Sequence, residues 1–184
     1  VLPILVSRTD KLGDVLMSLQ SLKTLRQNLP DAEIDFLMRG ENIPVLAGFA
    51  QSQRIRLMEW KGTLGHERYD GALCLFDDPI LLAILKARRV PVRVGNYSKL
   101  RSFIKLSHGI RQRRAQGKKN EGEYNLDLTR LFLDALGTKA SISVQNICLP
   151  ANEIAAGEAQ RALHRTGISP GSPYWVVHPG MGGS

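Results

Sequence analysis

The sequence predicts an α/β fold in which helices cover both faces of a parallel, doubly wound sheet. Short apolar runs alternate with longer helical patterns along the 184 residues, as in chains built from βαβ units. The runs are apolar at consecutive positions, which is typical of strands buried on both faces. With 43% hydrophobic residues, the chain can bury a sizeable core.

The elements follow in order from periodicity and from turn residues. A strand over 2–7 precedes an amphipathic helix over 13–28, in which Val15, Leu19 and Leu22 recur at helical spacing. Gly137 is a helix stop signal. The other predicted strands cover 32–38, 54–59, 71–76, 92–95 and 174–178, and the other predicted helices cover 41–49, 79–89, 122–136 and 151–166.

A cluster of glycine, proline and serine residues over 167–173 predicts a domain boundary. We therefore expect one domain over residues 1–168. Residues 169–184 are predicted to be a linker, the first strand and the glycine-rich loop of a second domain that this chain does not complete.

Positive charge is concentrated in one part of the sequence. The net charge is +8, and residues 79–120 hold twelve lysines or arginines and no acidic residue. The rest of the chain carries 13 basic and 17 acidic residues, so this basic stretch accounts for the excess. Such a cluster attracts an anionic partner, and nucleic acid, anionic lipid and a phosphorylated glycolipid all fit that description.

Part of the basic stretch, residues 97–107, is predicted to be an amphipathic helical segment. One helical face carries Tyr97, Leu100, Phe103 and Ile104. The opposite face carries Arg101, Ser102 and Lys105. A segment of this kind rests on an anionic membrane, packs its apolar face on the domain, or does both. Residues 111–119 are expected to form a mobile loop.

The loop between the first strand and the first helix is a candidate ligand site. Ligands bind beyond the carboxyl ends of strands in open parallel sheets, and Gly13 permits a close backbone approach there. Asp14 follows in the first helical turn, where an acidic residue also complements the helix dipole, and spacing alone favours that structural role. The loop matches neither a dinucleotide fingerprint nor a P-loop.

Four pieces of the sequence stand out when they are taken together. The first is Ile4–Leu16 with its Leu-Gly-Asp turn, continued by Ser18–Lys23, and the others are Ile34–Leu37, Arg93–Tyr97 and Val176–Ser184. In their order and separations these pieces resemble glycosyltransferase family 9, whose members transfer heptose from ADP-heptose to the lipopolysaccharide core. The resemblance implies the N-terminal, acceptor-side half of a GT-B enzyme.

The resemblance also implies roles for individual residues. Asp14 matches the family's catalytic base for inverting transfer, with Asp10 as the runner-up at a different spacing. Gly13, Gly182, Gly183 and Ser184 are expected to contact the nucleotide-sugar donor through backbone N–H groups. The anionic acceptor, the lipopolysaccharide inner core, is expected to be bound by Arg101, Lys105, Arg111, Arg113 and Arg114.

The resemblance implies ADP-heptose as the donor, and no metal and no further cofactor is expected. A cytoplasmic bacterial enzyme with peripheral contact to the inner membrane is implied, and this chain by itself is expected to be inactive because the donor-binding half is missing. The alternative is an α/β module that binds nucleic acid or an anionic membrane without catalysis. A third possibility, a receiver-like domain, lacks the paired acidic residues and the later aspartate and lysine of that class.

Overall fold

The computed structural model describes residues 2–97, 100–143, 146–150 and 153–177, without the side chains of residues 101, 115, 153 and 154. The chain divides into two compact units, Val1–Leu149 and Pro150–Ser184. The strands, all in the first unit, are β1 (Pro3–Ser7), β2 (Glu33–Met38), β3 (Ile55–Glu59), β4 (Gly71–Cys74), β5 (Val92–Asn96) and β6 (His108–Ile110). They form one sheet in the order β3-β2-β1-β4-β5-β6, and every adjacent pair is parallel.

Helices connect the strands and cover both faces of the sheet. They are α1 (Leu12–Leu16), α2 (Leu19–Asn28), α3 (Ile43–Ser52), α4 (Pro79–Ala87), α5 (Leu100–Lys105) and α6 (Glu121–Ala135), with short 3-10 turns at Gly40–Asn42 and Arg114–Gln116. The second unit contains α7 (Glu153–Arg165). The doubly wound α/β fold predicted from the sequence is confirmed. The assignment of residues 169–184 to the start of a second domain stays a prediction.

Successive side chains of each strand point to opposite faces of the sheet, so the hydrophobic core has two parts, one on each face. On one face, Val6, Phe36 and Leu73 pack with the buried sides of α2, α3 and α6. On the other face, Leu5 and Leu37 pack with α4 and the residues that follow α5. Both clusters are almost completely shielded from water, and this burial is the main favourable contribution to folding.

The helix predicted over 13–28 is two helices. The Oγ of Ser18 donates to the Asp14 carbonyl at 3.0 Å, and the Ser18 amide donates to Val15 three residues earlier. Local bonds of this kind compete with the α-helical ladder, so α1 ends at Leu16 and the chain turns before α2. As a result α1 is five residues long and Asp14 lies at its centre.

The structure differs from the sequence prediction at two strands. His108 and Gly109 were expected to end the helical segment over 97–107, but residues 108–110 form β6, which pairs with β5 through Val94, Gly95 and Asn96. Three residues are too few to show a period. Residues 174–177, the described part of the strand predicted over 174–178, are not in a strand, because a strand needs a partner for its backbone groups and none pairs with it in the described chain.

Gly71 brings β4 close to α6. A Cβ placed there would lie 2.7 Å from the ring of Phe132, which is completely buried. We expect Gly71→Ala to lower the free energy of unfolding by about 1–3 kcal/mol, because the overpacked ring must leave its position. Urea unfolding followed by circular dichroism measures this change.

Gly13→Ala is the matched control, since a Cβ at Gly13 meets no atom within 4 Å. We expect its unfolding midpoint to stay at or above that of the wild type, as alanine favours the helix. An equal free energy of unfolding for Gly71→Ala and Gly13→Ala would show that β4 and α6 have room for a methyl group at Gly71.

Candidate active site

The candidate site lies where the strand order reverses. From β1 the chain passes to β2 on one side, while β4 and β5 follow on the other side, which makes the carboxyl ends of β1 and β4 a topological switch point. Residues 8–11 leave β1 at this edge, and residues 75–78 leave β4 beside them. The Leu75 amide donates to the Ser7 carbonyl at 3.0 Å and fixes the two loops against each other.

Arg8 is the buried centre of this edge. It follows β1 directly and is 2% exposed, although it carries a full charge. Its Nη1 donates to the Leu75 carbonyl at 2.9 Å and to Asn125 Oδ1 at 3.4 Å, so that one guanidinium joins β1, β4 and α6. A buried charge is tolerated only when it is paired and hydrogen-bonded, and the neighbours of Arg8 meet this requirement.

Three carboxylates surround the Arg8 guanidinium. Nε donates to Asp10 Oδ1 at 2.7 Å, Nη1 donates to Glu121 Oε1 at 2.7 Å, and Nη2 lies 3.1 Å from Asp14 Oδ1. The planar guanidinium fork addresses each carboxylate from a fixed direction. Arg8 therefore sets the relative positions of Asp10, Asp14 and Glu121.

Asp14 is the most exposed of these carboxylates. Its side chain is 40% exposed, compared with 15% for Asp10 and 23% for Glu121. Arg8 holds the carboxylate on the protein side, and the remaining surface faces solvent at the edge of the sheet. A carboxylate that is oriented by a buried cation and is open to solvent on its other side is suited to accept a proton from a bound hydroxyl group.

The second carboxylate with a candidate role, Asp10, is in a different environment. Burial raises the pKa of the Asp10 carboxyl, and the charge and hydrogen bond of Arg8 offset part of this rise. The Asp10 backbone carbonyl also accepts a hydrogen bond from the side-chain Nδ2 of Asn42 at 3.5 Å. These contacts make Asp10 a part of the loop framework, and its side chain is less accessible to a substrate than that of Asp14.

Glu121 connects the site to the basic stretch. It is the first residue of α6, whose N-terminus is closed by a capping box between Asn120 and Glu123. Glu121 pairs with Arg8 and with Arg114, so two guanidiniums share its carboxylate. Burial lowers the pKa of Arg114, and the charge of Glu121 opposes this change. The two arginines and three carboxylates of this cluster leave one negative charge in excess.

Further contacts fix the loop that carries Gly13. Thr9 Oγ1 donates to Asp78 Oδ2 at 3.3 Å, and Arg39 Nε donates to the Thr9 carbonyl at 3.0 Å. Because a Cβ at Gly13 would meet nothing within 4 Å, internal packing does not require glycine at this position. The space at the Cβ position of Gly13 is therefore open.

The predicted acceptor residues do not all lie in one place. Arg111 and Arg113 are exposed, whereas Arg114 is partly buried against Glu121 and stacks on Tyr124 at 5.6 Å. Lys105 donates to the Pro79 carbonyl at 2.9 Å. Arg101 lies on α5, and its side chain is not among those that the structure describes.

The charges of the basic stretch are in part neutralised by acidic residues from outside it. Glu121 pairs with Arg114, and Asp127 pairs with Lys119 at 2.6 Å. The expectation of a cluster without any acidic neighbour was therefore wrong at these two positions, since α6 brings its carboxylates back across the loop. Residues 111–119, expected as a loop, include the 3-10 turn at Arg114–Gln116 and the buried Gln112.

The predicted donor-binding residues Gly182, Gly183 and Ser184 lie outside the described residues. Over the described ranges, no group of three or more His, Cys, Asp or Glu side chains is arranged to hold a metal ion. In the same part of the chain, no helix combines the length and apolar character needed to cross a membrane. Metal independence stays a prediction.

Sequence reasoning missed Arg8, Glu121 and Asn125 as parts of the site. Arg8 was visible in the loop, but nothing in the sequence indicated that its guanidinium is buried. Glu121 and Asn125 are more than 110 positions away in the chain and reach Arg8 only through the packing of α6. One signal was available, since Glu121 and Asn125 share a helical face across one turn.

Comparison with known proteins supports the predicted relationship. No family model matches the chain. Over 195 aligned residues the chain is 26% identical to a Haemophilus influenzae protein named "Putative glycosyltransferase", and the match covers 98% of this chain and 55% of that protein. The structure of E. coli ADP-heptose lps heptosyltransferase II superposes with a TM-score of 0.67 at 18% identity, over 94% of this chain and 53% of the other.

Two further structures agree. A glycosyl transferase of family 9 from Veillonella parvula DSM 2008 gives a TM-score of 0.64 at 16% identity, over 92% of this chain and 50% of the other. E. coli heptosyltransferase WaaC with ADP superposes with a TM-score of 0.60 at 16% identity, over 79% of this chain and 50% of the other. The resemblance to glycosyltransferase family 9 is confirmed. At these identities the structural likeness to family 9 shows the fold, and the chain spans about half the length of the proteins it matches.

The burial of Arg8 generates a stability prediction. We expect Arg8→Met to lower the free energy of unfolding by about 3 kcal/mol, because three neighbouring carboxylates, two of them largely shielded from water, then repel one another without their shared cation. Urea unfolding monitored by far-ultraviolet circular dichroism measures the change. We expect Asp14→Asn, which removes the most exposed partner, to cost about 1 kcal/mol or less. An unchanged urea midpoint for Arg8→Met would show that Arg8 does not stabilise the carboxyl edge of the sheet.

Proposed function

We propose that this chain provides the acceptor-side part of a glycosyltransferase in which Asp14 is the general base. The observation that carries the proposal is the geometry of Asp14, which is held by buried Arg8 at 3.1 Å and exposed at the carboxyl edge of the sheet. The likeness in fold to heptosyltransferases and the glycosyltransferase name of the curated relative support it.

In the proposed reaction, the acceptor hydroxyl oxygen attacks the anomeric carbon of a nucleotide-sugar donor. Asp14 takes the hydroxyl proton as the new C–O bond forms. The bond between the anomeric carbon and the diphosphate oxygen breaks, and the nucleoside diphosphate leaves with the electron pair. Attack from the face opposite the leaving group inverts the anomeric centre. General-base assistance of this kind is worth about 10²–10⁴ in rate.

The donor is proposed to be ADP-heptose. One solved structure with this fold is a heptosyltransferase with ADP, and another contains ADP-2-deoxy-2-fluoro heptose, which supports a nucleotide-sugar donor. The roles of Gly182, Gly183 and Ser184 toward the donor diphosphate belong to this proposal. Open space at Gly13 is consistent with a donor or an acceptor beside Asp14.

The acceptor is proposed to be an anionic glycolipid of the lipopolysaccharide inner core, reached by a cytoplasmic enzyme at the inner membrane. The exposed Arg111 and Arg113 support this, since guanidinium groups bind phosphate and carboxylate in a bidentate manner. Arg114 is engaged with Glu121 and so is better suited to position the loop than to bind an acceptor. The alternative, a nucleic-acid-binding module, accounts for the basic stretch but gives no role to the ordered carboxylates around Arg8.

The role of Asp14 is tested in the full-length protein with ADP-heptose and a core glycolipid. We expect Asp14→Asn to lower kcat by roughly 10² or more with little change in KM, because the amide keeps the shape of the side chain but cannot take the proton. Transfer of labelled heptose measures turnover.

Asp10→Asn is the matched control, since it removes a second carboxylate bound to the same guanidinium. We expect it to reduce stability more than Asp14→Asn does, and to retain more of the turnover. Equal loss of kcat in both variants, or normal turnover for Asp14→Asn, would contradict the assignment of Asp14 as the base.

The acceptor site is tested with Arg111→Ala combined with Arg113→Ala. We expect weaker binding to core glycolipid, most visibly at low salt, because two exposed charges are removed while the pairing of Arg114 with Glu121 remains. Arg130→Ala combined with Lys139→Ala removes the same charge from exposed positions outside the basic stretch and controls for net charge. Loss of single-stranded nucleic-acid binding with full glycolipid affinity would favour the nucleic-acid-binding module instead.

A further inference from the structure

An apolar ridge projects from α5. Leu100 is 77% exposed, and Phe103 and Ile104 are each 58% exposed. These three residues, called here the α5 ridge, lie on one side of a six-residue helix. Of the predicted apolar face, Tyr97 packs against the core cluster that includes α4, whereas the three residues of the α5 ridge stay mostly exposed.

The orientation of α5 is set by its other side. Ser102 is fully buried, and its Oγ donates to Asp77 Oδ1 at 2.7 Å. Leu106, one turn further along the chain, is buried in the core cluster that includes α4. These two anchors hold the polar serine inward and turn the α5 ridge outward, which reverses the usual arrangement of a surface helix. Phe103 is also supported by Tyr97, with their rings 5.0 Å apart edge to face.

Cations lie at the borders of the α5 ridge. Lys86 Nζ donates to the Ile104 carbonyl at 3.2 Å, and Lys105 Nζ donates to the Pro79 carbonyl at 2.9 Å. The acidic residues that flank the basic stretch are engaged elsewhere: Asp77 with Ser102, Asp78 as the N-cap of α4, and Glu121 with Arg8 and Arg114. An exposed apolar surface that is bordered by lysines matches the chemistry of an anionic bilayer, with acyl chains below phosphate groups.

We propose that the α5 ridge inserts Leu100, Phe103 and Ile104 into the interface of an anionic membrane. Charge complementarity selects this occupant, since a second copy of the chain would bring the same lysines into opposition. The apolar base faces of nucleic acid are stacked on one another and admit side chains only after unstacking, whereas the interface of a bilayer accepts aliphatic and aromatic side chains directly. The inference deepens the proposed function, in that it places the enzyme at the membrane where a glycolipid acceptor resides.

The experiment measures binding of the full-length protein to vesicles made of equal parts of phosphatidylglycerol and phosphatidylethanolamine. We expect the combined substitutions Leu100→Ser, Phe103→Ser and Ile104→Ser to weaken binding by at least about tenfold, because apolar insertion is lost while every lysine remains. Val45→Ser combined with Leu149→Ser is the control, as it changes exposed apolar residues elsewhere, and we expect its affinity to match the wild type. Retained affinity in the triple variant overturns the proposal.

A second measurement locates the ridge directly. We expect Phe103→Trp to add fluorescence that brominated lipids quench upon vesicle binding, and the parent protein, which has Trp60 and Trp175 in this part of its chain, gives the background. Shielded Phe103→Trp fluorescence in the absence of vesicles would mean that another part of the protein or a second copy covers the ridge, and this would overturn the proposal.

A failure of the proposed transferase function can be told apart from a failure of the membrane proposal by a separate measurement. Turnover of a water-soluble, deacylated acceptor tests the chemistry without a membrane, and we expect the triple serine variant to keep wild-type turnover there. Absence of transferase activity in the wild type, together with ridge-dependent vesicle binding, would reject the proposed function and leave the membrane inference standing.

Discussion

The guanidinium of Arg8 is the interaction on which the architecture of the candidate site depends. Moving a full charge out of water costs several kcal/mol, so the fold must supply acceptors on every side of it. Carbonyl, amide and carboxylate oxygens from the β1 loop, the end of β4 and the start of α6 fill these positions. The same requirement that makes burial of Arg8 possible also fixes the orientation of Asp14.

Two polar pathways lead from this centre into the basic stretch. One passes from Arg8 through Glu121 to Arg114, and the other passes from Thr9 to Asp78, whose neighbour Asp77 holds Ser102 of α5. The carboxylate proposed as the base and the surface proposed to meet a membrane are thus tied to the same two loops at the carboxyl edge of the sheet. This arrangement is consistent with the first unit binding both the reacting hydroxyl group and the lipid part of the acceptor.

The basic stretch combines structural and exposed cations. Arg93 donates to the Lys105 carbonyl at 2.8 Å and Arg88 donates to the Leu64 carbonyl at 2.7 Å, so these side chains satisfy backbone groups in addition to carrying charge. Arg111 and Arg113 remain exposed. A count of charges along the sequence treats all of these side chains alike, whereas the fold assigns some of them to internal contacts.

The sequence by itself determined the order of the first five strands with most of their helices, and the position of Asp14 beyond the first strand. Consecutive apolar residues, proline near helix starts and Gly137 at a helix end are local signals, and they act over a few residues. The short β6 and the break at Ser18 were missed because a three-residue strand and a single side-chain hydrogen bond leave no period to detect. The tertiary structure alone decided that Arg8 is buried, that Glu121 reaches it from 113 residues away, and that the α5 ridge faces outward. These outcomes depend on which face of each helix finds a partner on the sheet, and no local pattern contains that information.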